Sequence, residues 1–276
     1  MREEYLVRVP EWYKSFEKFD VVLSDDLDGI VSTSALKFAK NWNVEYFYDF
    51  SKLYVTGQTY FKENKNATRV WADVAITRRE MTFDNHISRK NLGDKLNDLC
   101  INPNVITNVT NENYYDKYCG SSALLIWSLY NIPLPETELG KMLLLCIDST
   151  FKGFFGYNNF KERNRFYLCD VLGFEELYEV EKRHSREEFY DLITKYNLGA
   201  KTTIDKDGYL HTDLDLDFIG KELGIELSIP TDKCFIEWRD LEKHKVNNFY
   251  GDVANIKRLI TLAYTGKNFV MYSTMA

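Results

Sequence analysis

Asp20-Val21-Val22-Leu23-Ser24-Asp25-Asp26-Leu27-Asp28-Gly29 decides the reading of this chain. Its aliphatic centre between polar ends reads as a short buried strand over Asp20 to Ser24. An amphipathic helix is expected next, from Gly29 to Lys40, carrying Ile30, Ala35, Leu36, Phe38 and Ala39. Strand, acidic loop and helix together open an α/β unit. In an open parallel α/β sheet, ligands bind where loops leave the carboxyl ends of the strands. The carboxylates after this strand are dense enough to repel one another unless a cation gathers them.

Moving outward, Val44 to Phe50 and Arg69 to Ile76 read as further strands, and Met81 to Phe83 and Val105 to Thr107 as short ones. Helices are expected over Gly120 to Tyr130 and over Glu136 to Cys146, the second introduced by Pro133 and Pro135. The alternation predicts an α/β fold with a mostly parallel sheet flanked by helices over residues 1–155. Residues 156–200 are expected to form a helical connector, with helical periodicity in Phe189, Tyr190, Leu192 and Ile193. Residues 201–276 are expected to form a smaller α+β domain on the substrate side. Its strands are read at Thr202 to Ile204, Asp213 to Phe218, Phe235 to Trp238 and Asn268 to Tyr272, and its helix between Val253 and Tyr264.

The 276 residues are 45% apolar and 15% aromatic, enough for a full core. A net charge of −7 argues against a protein that coats long duplex DNA, which needs many cationic phosphate contacts. A nucleotide or a short strand end suits it better. No apolar stretch of about eighteen residues occurs and the chain opens Met1-Arg2-Glu3-Glu4-Tyr5, so a cytoplasmic protein with no membrane association is expected. Cys100, Cys119, Cys146, Cys169 and Cys234 are scattered, with no Cys-x-x-Cys pair, which points to a reducing compartment without a disulfide framework or zinc knuckle.

Asp26 and Asp28 after the first strand, Asp73 in Trp71-Ala72-Asp73-Val74-Ala75, Asp84 in Asp84-Asn85-His86 and Asp148 after Leu144-Leu145-Cys146-Ile147 stand where such a site belongs. Asp73 and Asp148 lie in apolar runs, where an ionised carboxylate is costly unless paired or metal-bound. Carboxylate oxygen suits Mn²⁺ or Mg²⁺. An Asp-x-Asp turn can serve two such ions about 3.5–4 Å apart, with a third aspartate bridging, and so supply a hydroxide for attack on a phosphoryl group.

In this order the motifs resemble the DHH phosphoesterase superfamily of RecJ-like exonucleases, nanoRNases and family II inorganic pyrophosphatases. Asp26-Leu27-Asp28-Gly29-Ile30-Val31-Ser32 is similar to its first motif, Asp73 to its second, Asp84-Asn85-His86 to its third and Asp148-Ser149-Thr150-Phe151 to its fourth. Cys119-Gly120-Ser121-Ser122-Ala123 resembles the small-residue helix start between the last two, so the likeness spans residues 18–155. It implies Asp26 on one metal, Asp28 and Asp148 on the other, Asp73 bridging, and His86, with Asp84, facing the scissile phosphate. Two positions depart from it. Val22 and Asn85 stand where metal-binding histidines are usual, and Asn85, as an oxygen ligand, would favour Mn²⁺ or Mg²⁺. The glycine-rich substrate-reading segment of many members is absent after residue 150.

The resemblance implies a divalent-metal-dependent phosphodiesterase using two ions, with a nucleotide or short single-stranded nucleic acid as substrate. Arg78 and Arg79, beyond the third strand, are candidates to clamp its phosphate. Two rivals stand beside it. In a haloacid dehalogenase-like phosphatase Asp26 would be the nucleophile and Asp28 the acid, although that family would want Thr at Ile30. In a catalytically degenerate DHH fold the site would only bind a nucleotide or a partner. Asp213-Leu214-Asp215-Leu216-Asp217 lacks the glycine of a calcium loop and reads as an edge strand. Thr265-Gly266-Lys267 lacks the upstream glycine of a phosphate loop and reads as a turn.

Overall fold

The computed structural model describes residues 1–61, 68–157, 159–249 and 253–276. The quoted strand forms as β1 (Asp20–Ser24), and the helix behind it runs Leu27–Lys40. Asp26 caps that helix by accepting the Gly29 N–H at 3.2 Å, and the left-handed Asn41 closes it. The next strands are β2 (Asn43–Tyr48), β3 (Lys52–Thr56), β4 (Arg69–Ala72), β5 (Met81–Phe83) and β6 (Cys100–Ile101). A two-stranded pair, β7 (Thr202–Ile204) and β8 (Leu210–Thr212), precedes β9 (Phe235–Asn247), β10 (Leu259–Gly266) and β11 (Phe269–Met275).

The fold is α/β with one large curled sheet, in the order β10-β11-β9-β3-β2-β1-β4-β5-β6, flanked by helices. It is a mixed sheet. From β2 through β1, β4 and β5 to β6 every pairing is parallel, whereas β2–β3, β3–β9, β9–β11 and β11–β10 are antiparallel. The parallel character read from residues 1–155 thus holds for β2, β1, β4, β5 and β6, while β3 in the same stretch already pairs antiparallel. Strands from residues 235–275 extend the same sheet rather than building another. The expected helical connector, residues 156–200, carries helices from Phe160 to Lys195 and adds Tyr167, Leu168, Val171, Leu177, Val180 and Phe189 to the main core.

Side-chain alternation divides the sheet between two cores. Val21, Leu23, Phe47, Val70 and Ala72 face the helices, while Val22, Tyr46, Tyr48 and Trp71 face the inside of the curl. Edge strand β10 bends back onto the segments that follow β4 and β5. Leu262 N–H donates to Ala75 O at 2.9 Å, and Tyr264 N–H to Ile87 O at 2.8 Å. The C-terminal hairpin therefore closes over the carboxyl ends of the parallel strands.

Three local expectations change. Val105 to Thr107 is not a strand: Asn102 caps a single helical turn, Pro103–Ile106, with Pro103 at its first position. Asp213 to Phe218 is not a strand either. Asp215 accepts the Phe218 N–H at 2.9 Å and caps the helix Leu216–Leu223, whose buried Ile219 and Leu223 keep helical spacing. The helix expected between Val253 and Tyr264 is a short 3₁₀ turn, Val253–Asn255, followed by β10, whose Ile260, Thr261 and Tyr264 favour extended backbone. Thr265-Gly266-Lys267 does lie at the β10–β11 turn.

Gly29 fixes how closely the acidic loop passes the end of β1. A Cβ there would stand 2.8 Å from the carbonyl oxygen of Ser24 and would also meet the Ser24 hydroxyl. Gly29→Ala is expected to destabilise the fold by roughly 1–3 kcal/mol, the cost of overpacking, seen as a lower urea midpoint with an unchanged m-value.

Candidate metal centre

Asp28 sits in the first turn of the helix Leu27–Lys40, almost fully buried. Its carboxylate meets the start of the helix Ser122–Leu129: Oδ2 accepts the Ser122 N–H at 2.7 Å, and Oδ1 accepts the Ala123 N–H at 2.8 Å and the Ser32 hydroxyl at 3.1 Å. A helix N-terminus offers unpaired N–H groups and a partial positive charge, so it is a natural seat for this anion. Ser121 supports it by capping the helix on the Leu124 N–H at 3.1 Å.

Asp73 ends β4 in the left-handed region, φ 60°, with its N–H continuing the ladder to Phe83 O at 2.9 Å. That turn brings the buried carboxylate beside Asp28, where it accepts the Ser122 hydroxyl at 3.0 Å and the Ser24 hydroxyl at 3.4 Å. Asp148 arrives from the far side, in a segment where it and Ser149 are both left-handed, φ 52° and 54°. Asp28, Asp73 and Asp148 each place a carboxylate oxygen within 4.8 Å of the others. Burial, reinforced by the charges of Asp148 and Asp26, pushes Asp28 well above the usual carboxylate range. Burial and then the Asp28 charge do the same to Asp73.

Asp84, fully buried after β5, orients His86: its Oδ1 lies 2.8 Å from His86 Nδ1 and accepts the His86 N–H at 3.1 Å. Its Oδ2 accepts Asn102 Nδ2 at 2.8 Å. Burial opposes a charge on His86, but the Asp84 hydrogen bond and charge outweigh it and hold the imidazole above its ordinary pKa. Asn102 and Asn104 tie the whole segment down, Asn102 through His86 O at 2.7 Å and Asn104 through Asn85 O at 2.8 Å. Neither asparagine stands out in the sequence as a functional residue. Their signal is Asn102-Pro103-Asn104, a helix-start pattern.

Asn85 does reach the centre, with its Oδ1 buried and without a hydrogen-bond partner. Its Nδ2 donates to Asp148 Oδ2 at 2.7 Å and to Gly120 O at 3.0 Å. Both neighbours are acceptors, so turning the amide over would set oxygen against oxygen. Asp26 stands apart from the group of three. Its Oδ1 caps the helix and its Oδ2 takes the Lys201 ammonium at 3.2 Å. Val22 is fully buried in the apolar cluster inside the curl.

A cavity of about 90 Å³ lies between this centre and the C-terminal hairpin, lined by Asp73, His86, Phe50, Lys243, Thr261 and Tyr272 among others. Lys243, from β9, stands 4.7 Å over the Phe50 ring and has no ion pair among the described residues. Arg78 and Arg79 are not in the lining. Arg78 Nε points to Leu259 O at 3.4 Å, and Arg79 pairs with Asp98 at 3.1 Å on the outer surface. Lys117 acts on His86 and Asp148 through its charge, and Lys201 and Lys243 bring further cations from the C-terminal part of the chain.

No family model, curated protein or solved structure matches the chain. The chemistry of the centre rests on its own geometry.

Asp28 and Asp73 take up protons more readily in the folded chain than in the unfolded one. Without metal, their contribution favours folding at low pH and is lost as pH rises from the ordinary carboxylate range through their raised values. Asp73→Asn removes one of these charges. The metal-free variant is expected to be more stable than the parent at pH 8 and to lose less stability between pH 5 and pH 8, measured by thermal unfolding in a chelator. Asn102→Ala should cost roughly 1–3 kcal/mol by leaving the buried Asp84 oxygen unpaired, measured by urea unfolding.

Proposed function

We propose that the protein is a divalent-metal-dependent phosphoesterase acting on a phosphodiester in a nucleotide or short single-stranded oligonucleotide. The observation that carries this reading is the convergence of Asp28, Asp73 and Asp148 beside a cavity that also holds His86 and Lys243. The donors are carboxylate oxygens, the chemistry that Mn²⁺ or Mg²⁺ takes. A carboxylate has about four lone-pair sites. Asp28 uses three for Ser32, Ser122 and Ala123, and Asp73 uses two for Ser24 and Ser122. Both keep capacity for an ion. Asp28, Asp73 and Asp148 would hold it.

When bound, such an ion acts as a Lewis acid on a phosphoryl oxygen and lowers the pKa of its water toward neutrality. The chain supplies the rest. Asp84 holds His86 through Nδ1, which leaves Nε2 as the ring nitrogen for a proton on the leaving oxygen. Lys243 gives the cavity a positive charge for a substrate phosphate, and Phe50 and Tyr272 give it ring surface. The turn at Asp73 and the helix start at Ser122 set the carboxylates before substrate arrives, so little reorganisation remains for the reaction.

A binding protein without catalysis is favoured by one observation: Asn85 donates to Asp148 where a metal ligand would be expected. The two readings part on metal. Under the phosphoesterase reading, Mn²⁺ raises the unfolding temperature, as any ligand specific to the native state must, and a generic phosphodiester reporter is hydrolysed with Mn²⁺. Asp73→Ala is then expected to lower turnover by more than about 100-fold, beyond the loss from substitutions outside a metal's direct ligands. Full activity in Asp73→Ala would overturn its role. Absence of both Mn²⁺ stabilisation and hydrolysis in the parent would leave the binding protein.

A further inference from the structure

We infer that the centre holds one divalent ion, not two, and that the Lys201 ammonium stands in place of the second. The inference rests on the metal-dependent reading above and deepens it.

A second ion would draw on Asp26, on Asp73 and on ligands at positions 22 and 85. Position 22 offers none, and Asp26 is already engaged by a cation. Val22 is a fully buried aliphatic side chain among Tyr46, Tyr48 and Trp71. Asn85 is tied to Asp148 through its amide nitrogen, so its Oδ1, buried and without a hydrogen-bond partner, would serve the ion that Asp148 holds rather than a second one at Asp26. Asp26 lies outside the group whose oxygens come within 4.8 Å of one another. The carboxylates left over have their own cation: Lys201 Nζ is 3.2 Å from Asp26 Oδ2 and 3.0 Å from Asp25 Oδ1.

That ammonium is placed by the fold. The next residue, Thr202, donates its N–H to Asp25 O at 2.7 Å, which ties the start of β7 to the end of β1 one residue away from the ion pair. The backbone that carries Lys201 is thus fixed beside the loop, while the lysine side chain stays 51% exposed. A monovalent ammonium with three donors can bridge two carboxylates but offers no coordination sphere and binds no water as a nucleophile. Lys201 is accordingly a positioning residue for the acidic loop, and Asp28, Asp73 and Asp148 would hold the one ion that could supply an activated water.

The test is Mn²⁺ stoichiometry on the full chain, by equilibrium dialysis with electron paramagnetic resonance of the bound ion, for the parent, Lys201→Ala and Lys201→Arg. Circular dichroism checks that each is folded. One Mn²⁺ per chain is expected in the parent and in Lys201→Arg, with the spectrum of an isolated ion. Lys201→Ala is expected to take up a second, weaker Mn²⁺ at the vacated Asp25 and Asp26. Two ions in the parent would overturn the inference and leave the phosphoesterase reading standing. A single ion in parent and Lys201→Ala alike would overturn the role of Lys201. No Mn²⁺ in any of the three would overturn the phosphoesterase reading, and this inference with it.

Discussion

The structure depends on how carboxylates are held together where β1, β4 and β5 end. Asp26, Asp28, Asp73, Asp84 and Asp148 arrive from separate parts of the chain, and most of their mutual energy is repulsive. Each is given its own donors. The start of the helix Ser122–Leu129 takes Asp28, and the Ser122 hydroxyl takes Asp73. Lys201 takes Asp26, His86 and Asn102 take Asp84, and Asn85 takes Asp148. Ser122 is the joint of this arrangement, since its N–H and its hydroxyl serve two different carboxylates. The close packing of that helix against Leu27–Lys40 is therefore also an electrostatic requirement of the site.

The same constraint explains the backbone. Asp73, Asp148 and Ser149 adopt left-handed conformations that residues other than glycine seldom take. Such conformations persist when surrounding contacts over-determine them. Here those contacts are the ladder bond from Asp73 to Phe83 O and the Asn85 bond to Asp148. Glycine is needed at position 29 for a different reason: the acidic loop passes too near Ser24 to admit a side chain.

What could be read in the sequence was whatever is local. The strand Asp20–Ser24, the helix behind it and the placing of Asp28, Asp73, His86 and Asp148 near one another follow from short-range pattern and from the rule that loops at carboxyl strand ends converge. The alternation of Asp213 to Phe218 misled because its period of two hid a cap at Asp215 and a helical spacing that begins one residue later. The cations were not legible at all. Lys201 lies 176 residues from Asp25, and nothing local marks it. Arg78 and Arg79 looked apt because they follow a strand, yet that loop is taken up by β10, whose backbone binds Thr77 and Ala75.

That return of β10 gives the C-terminal strands their part in the site. An open parallel sheet would leave the carboxyl ends of β4 and β5 to solvent. In this chain the sheet instead curls through β3, β9 and β11 until β10 pairs with the segments after both strands. The curl turns an exposed acidic ledge into a cavity with one wall of Asp73 and His86 and another of Lys243, Thr261 and Tyr272. The hairpin is the far edge of the same sheet, and its bridges to the segments after β4 and β5 set the distance between the acidic wall and the cationic one.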